Sequence, residues 1–128
     1  MIIIVFGISA MQTAVGNSIL RGRPFGGVAS MIRNKGLPTK CIVCSEHYNI
    51  VTVGDLAMVN VYLPTCINDN ERDDILVLID EIASHLDGIS FKNVIFGGDM
   101  NCDMLQKSMT ADLMKTQLYD NEICLCNY

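Results

Sequence analysis

The sequence predicts a layered α/β sandwich, and three observations carry that prediction. The first half is a series of short, β-branched runs separated by glycine, proline and polar clusters. The second half changes to helical spacing over Glu71–Leu86 and again over Ser108–Leu118, with a strand-like run, Val94–Phe96, between them. Half of the 128 residues are hydrophobic and 18% are charged, a core-forming composition sized for one small domain, 1–128.

In chain order, Ile2–Phe6 is unbroken and β-branched, the pattern of a strand covered on both faces. No positive residue precedes it and it is too short to cross a membrane, so a strand is a simpler account than a signal peptide. Gly7–Gly16 has no period and reads as loop. Arg21-Gly-Arg-Pro-Phe-Gly-Gly27 is a loop by turn chemistry, and the guanidinium groups of Arg21 and Arg23 suit bidentate contact with phosphate. Val28–Arg33 predicts a strand closed by Asn34-Lys35-Gly36. Tyr48–Val53 and Leu56–Leu63 flank Gly54-Asp55, a hairpin signal; Pro64 ends the second arm and leaves Tyr62 near the strand's end.

The period then changes. Ile75, Ile79, Ile82 and Leu86 fall on one helical stripe, with Asn68, Asp69 or Asn70 as cap and acids at 71, 73 and 74 favoured by the helix dipole. His85 lies near this helix's end, where a surface or capping role accounts for it. A second helix places Met109, Leu113, Met114 and Leu118 inward, and Ile123–Cys126 reads as a last strand.

Between the helices stands Asn93-Val-Ile-Phe-Gly-Gly-Asp-Met-Asn-Cys-Asp103. The strand Val94–Phe96 is expected to break at Gly97-Gly98 and to deliver Asp99 and Asn101 at its end. Asp99 can take a proton or hold a metal, and Asn101 can donate to a phosphate oxygen. A strand followed by an Asx turn is the plainer account of the same residues.

Charge and cysteine content narrow the setting. Residues 1–45 carry five bases and no acid, a local net +5 within a chain of net −5, which predicts a basic face on a protein without general affinity for polyanions. Six cysteines stand at 41, 44, 66, 102, 124 and 126. Cys41-x-x-Cys44 could begin a zinc site, but its second half would have to be Cys124-x-Cys126, which lacks the usual loop spacing, and both pairs lie in apolar runs, where reduced cysteine acts as a small hydrophobe. A reducing, intracellular setting follows, nuclear or cytoplasmic and not secreted, with no membrane partner.

Three stretches together resemble the endonuclease/exonuclease/phosphatase family of DNase I-like fold: Arg21-Gly-Arg-Pro-Phe-Gly-Gly-Val-Ala29, Val59-Asn-Val-Tyr-Leu-Pro64 and Phe96-Gly-Gly-Asp-Met-Asn101. Within it they look most like the endonuclease domain that non-LTR retrotransposons carry ahead of their reverse transcriptase. The resemblance implies a four-layer sandwich of two β-sheets with outer helices, and phosphodiester hydrolysis on DNA with Mg2+. It implies that Asp99 orients or deprotonates the attacking water, that Asn101 holds the scissile phosphate and that Tyr62 bonds the phosphate or the charge developing on it. Arg21 and Arg23 would then lie near the nucleic-acid backbone.

The chain also departs from that family. Its members carry an early metal-binding Glu and a late Asp-His pair; here no acid precedes Glu46, and the last His is His85. The expectation is an internal fragment or a decayed element with an incomplete sandwich, impaired turnover and exposed strand edges prone to self-association. The alternatives are a non-catalytic remnant or interaction module of the same ancestry, a phosphomonoesterase or phosphoinositide phosphatase relative, and, least in keeping with the spacing, a zinc module.

Overall fold

The computed structural model describes residues 2–9, 26–65, 69–103, 105 and 107–120. Within them are six strands and two helices, a mixed α/β architecture with two sheets. The chain divides into two compact units, Met1–Tyr62 with Ser90–Asp99, and Leu63–Ile89 with Met100–Tyr128.

The first unit holds both sheets. Strands β1 (Ile2–Ile8) and β2 (Val28–Asn34) form an antiparallel ribbon. Strands β3 (Thr39–Cys44), β4 (Tyr48–Val53), β5 (Leu56–Tyr62) and β6 (Asn93–Asp99) form a sheet in that order. The first three run antiparallel, and β6 lies parallel to β5. The hairpin expected at Gly54-Asp55 joins β4 to β5, with Gly54 at a φ of 57°. Tyr48, Asn49, Ile50 and Val51 are all buried, so β4 is covered on both faces.

The ribbon lies against the sheet along a polar seam. Ser30 Oγ donates to Asn49 Oδ1 (2.7 Å), Asn49 Nδ2 donates to the Phe6 carbonyl (3.3 Å) and Asn60 Nδ2 to that of Ala29 (3.0 Å). Asn49 is 0% exposed, so its side chain is desolvated and relies on these bonds. Asn49→Ala is expected to cost about 2 kcal/mol, because it strands the Ser30 hydroxyl and the Phe6 carbonyl. Urea denaturation of the variant measures this.

Two expectations are corrected here. Ile2–Phe6 is not covered on both faces: Ile3 (54% exposed), Val5 (58%) and Met31 (75%) stand on the ribbon's outer side. Alternation on β2 gives the reason, since Val28, Ser30 and Ile32 turn inward and nothing among the described residues covers the opposite side. The strand also continues to Ile8, taking in Gly7, which read as loop. Residues 10–16, Arg21 to Phe25 and Ile123–Cys126 lie outside the described residues.

The second correction concerns the central strand. It does not break at Gly97-Gly98 but runs through both glycines to Asp99, paired with β5 along its length. Gly98 takes a φ of 126°, and a Cβ there would run into the Val61 carbonyl oxygen. The two glycines thus differ: Gly98 permits close pairing, while a Cβ on Gly97 meets open space. At the other end of this pair, Lys92 Nζ contacts Asp55 Oδ2 at 2.6 Å with side chains 77% and 65% exposed. Lys92→Ala is expected to change stability by no more than about 1 kcal/mol in a thermal melt.

A parallel neighbour needs a crossover, and helix α1 (Asp69–Asp87) occupies the connection from β5 to β6. It belongs to the second unit with helix α2 (Met109–Asp120). Ile75, Ile79 and Ile82 are buried, as the stripe required, and so are Ala111 and Met114 of α2. Asn68 and the side chains of Met109 and Leu118 lie outside the described residues. No helix among those described is long and apolar enough to cross a membrane.

Candidate functional site

The sheet's pairing decides which polar side chains meet. In the parallel register Tyr62 stands opposite Asp99, each the last residue of its strand. Cross-strand partners share a face, so the phenol and the carboxylate emerge side by side where the strands end. Tyr62 is half-buried and Asp99 exposed. Close packing of Gly98 against Val61 fixes how far β6 advances beside β5, and so sets Asp99 at the level of Tyr62.

A third residue joins this row from β4's side. The Tyr62 N–H donates to the His47 carbonyl (2.7 Å), and His47 Nδ1 lies 3.3 Å from the Tyr62 carbonyl oxygen. Ser45 holds the turn that presents His47: its hydroxyl accepts from the His47 and Tyr48 N–H groups (3.3 and 3.1 Å) and donates to the Tyr48 carbonyl (3.0 Å). His47, in the bend that leads into β4, therefore lies with Tyr62 and Asp99 at one end of the sheet.

Sequence reasoning passed over His47, Asn49 and Asn60. Part of the signal was there: Asn60 and Tyr62 are two residues apart on β5, which in a strand means one face, and Asn49 pairs with Asn60. That is the face on which the ribbon lies, since Asn49 and Asn60 bond to it. Alongside the row, Ala29, Met31, Met58, Asn60, Ile95 and Gly97 help line an open trough of about 300 Å3. Gly26 and Gly27, which lead into β2, line a second hollow of about 280 Å3 with Ile8 and Ser9. Arg21 and Arg23, the expected phosphate contacts, lie outside the described residues.

Asn101 belongs to the second unit and is held there by its own chain. Its Nδ2 donates to the Leu63 carbonyl at 2.6 Å, and its φ of 48° is a left-handed conformation that asparagine tolerates better than most residues. The structure thus brings Tyr62 and Asp99 together and anchors Asn101 separately to Leu63, the residue that follows Tyr62. The second unit also has a cavity of about 650 Å3, lined by Arg72, Lys107, Ser108, Asp112 and Leu113. There Ser108 Oγ accepts from the Ala111 N–H (3.1 Å), capping α2.

No group of three or more His, Cys, Asp or Glu suited to a metal ion occurs among the described residues. Asp99 is the one carboxylate in the row. A single hard oxygen donor does not build a Mg2+ cage, but it suits an ion held mainly by substrate phosphate and water. Comparison with protein-family models, with characterised proteins and with solved structures finds no match for this chain.

Proposed function

We propose that the chain is a partial DNase I-like domain of the endonuclease/exonuclease/phosphatase family, of the retrotransposon-endonuclease type, that hydrolyses DNA phosphodiesters slowly. The observation that carries this reading is the pairing of Tyr62 with Asp99 at the ends of parallel strands. The α/β order and two sheets are in keeping with it.

In this reading Asp99 orients the attacking water and accepts its proton, a role that needs a carboxylate facing solvent. The Tyr62 hydroxyl donates to a non-bridging phosphate oxygen as charge gathers there. Asn101, anchored to Leu63 within its own unit, keeps the phosphate-holding role that the resemblance implies. Mg2+, held by Asp99 and the substrate, would supply Lewis-acid polarisation of the phosphate. With Asp99 the one carboxylate of the row, slow turnover follows. Tyr62→Phe is expected to slow plasmid nicking about 100-fold while leaving the fold intact, read by nicking rate beside circular dichroism. Activity on a soluble inositol phosphate with none on plasmid would assign the site to a phosphomonoesterase instead.

A second reading, an interaction module of the same ancestry, is favoured by the outward Ile3, Val5 and Met31. Bare apolar ribbons with open edges pair with one another. Sedimentation velocity is expected to show concentration-dependent self-association, weakened by Val5→Lys.

A further inference from the structure

We propose that the trough beside Tyr62 and Asp99 seats a nucleobase, with Gly97 making the room and Asn60 choosing the base; the inference rests on the phosphodiester reading of that pair. The register brings trough and pair together. Met58, Asn60 and Tyr62 share one face of β5, and their partners on β6 are Ile95, Gly97 and Asp99. Three rows therefore follow one another on a single face of the sheet. The first two line the trough, and the third is the Tyr62–Asp99 pair. Successive rows are two residues apart, about 6.6 Å along the strands. A base whose phosphate is held at the third row can reach the second.

The lining chooses the kind of group. Met31, Met58 and Ile95 supply two thioethers and a branched alkyl chain, and sulfur makes favourable contacts with aromatic rings. A flat base gains from such walls. The hydroxyl-covered ring of an inositol would lose water there without finding partners for most of its oxygens. Gly97 provides the space. Its φ lies outside the left-handed region and a Cβ on it meets nothing within 4 Å, so the backbone does not require glycine at this place as it does at Gly98. What the missing side chain leaves is part of a cavity of about 300 Å3.

Polar recognition falls to Asn60, the amide side chain in the lining. Its Nδ2 donates to the Ala29 carbonyl (3.0 Å), a group that can only accept, so the bond fixes which end of the amide is which. Oδ1 is thereby committed as an acceptor. An acceptor favours adenine or cytosine, which carry an exocyclic amino group, over thymine, which shows a carbonyl oxygen and a methyl group on the corresponding edge.

The test is NMR titration of the folded chain, without metal, by dAMP, by thymidine monophosphate and by 2-deoxyribose 5-phosphate, which lacks a base. Saturable shifts of the Met31 and Met58 methyls and the Gly97 amide are expected with dAMP. Thymidine monophosphate is expected to bind about fivefold more weakly, the worth of one hydrogen bond, and the base-free sugar phosphate to leave the methyls unmoved. In Gly97→Val, shown to be folded by circular dichroism, the dAMP shifts at the methyls are expected to vanish. Methyls unmoved by dAMP, methyls moved equally by the sugar phosphate, or undiminished dAMP binding by Gly97→Val would each overturn the subsite. Equal affinity for the two nucleotides would overturn the part given to Asn60. No bond is cleaved in this readout, so the two readings fail separately. Base binding by a chain that never nicks plasmid would sink the nuclease reading alone, and nicking by a chain whose methyls stay unmoved would sink the trough alone.

Discussion

Gly98→Ala is expected to destabilise the chain by about 3 kcal/mol or more, with the β5–β6 pairing the first structure lost. Two costs combine. A side chain at a φ of 126° is strained by about 1–3 kcal/mol wherever it sits. The added Cβ would also meet the Val61 carbonyl oxygen and lie 2.7 Å from the Val61 nitrogen, backbone atoms that cannot turn aside. Relief requires moving β6 away from β5, which breaks the ladder from Val61–Gly98 outward. Gly97→Ala is the control: its Cβ meets nothing and its φ lies outside the left-handed region, so about 1 kcal/mol or less is expected. Guanidinium denaturation of both variants, with hydrogen exchange at the β5 amides, measures the difference. Equal costs would mean that the close approach at Gly98 does not exist in solution.

Asp99→Ala is expected to reduce DNA nicking at least about 100-fold while changing stability by less than about 1 kcal/mol. The separation follows from position. Asp99 is exposed at the end of an edge strand, so its side chain buries little and supports no core. Its worth lies in its carboxylate, which stands beside the Tyr62 phenol. Asp99→Asn should lose nearly as much, since an amide of the same shape takes no proton at neutral pH. Nicking by Asp99→Asn at the wild-type rate would show that the carboxylate neither orients nor deprotonates water.

Much of this architecture was legible because its signals are local. Gly54-Asp55 between two β-branched runs, and Ile75, Ile79 and Ile82 at helical spacing, each need only neighbouring residues to be read. Where partners in other strands decide, reading stopped. An all-apolar Ile2–Phe6 cannot announce which face stays bare, because alternation is invisible when both faces carry Ile, Val or Phe. Gly97-Gly98 looks like a strand terminator, and only the approach of Val61 shows that the strand needs Gly98 in order to continue. Tyr62 and Asp99 were both singled out, but that they are direct neighbours is a matter of parallel register across a crossover. His47 escaped notice for the same reason: its partner, Tyr62, is fifteen residues away.

The central claim, a phosphodiester-cleaving site at the ends of β5 and β6, is tested most directly by nicking of supercoiled plasmid in Mg2+, with wild type and Asp99→Ala side by side and each shown to be folded by circular dichroism. Slow nicking that requires Mg2+ and disappears in Asp99→Ala is the predicted result. No nicking by the folded wild-type chain, or nicking that Asp99→Ala leaves unchanged, would contradict it.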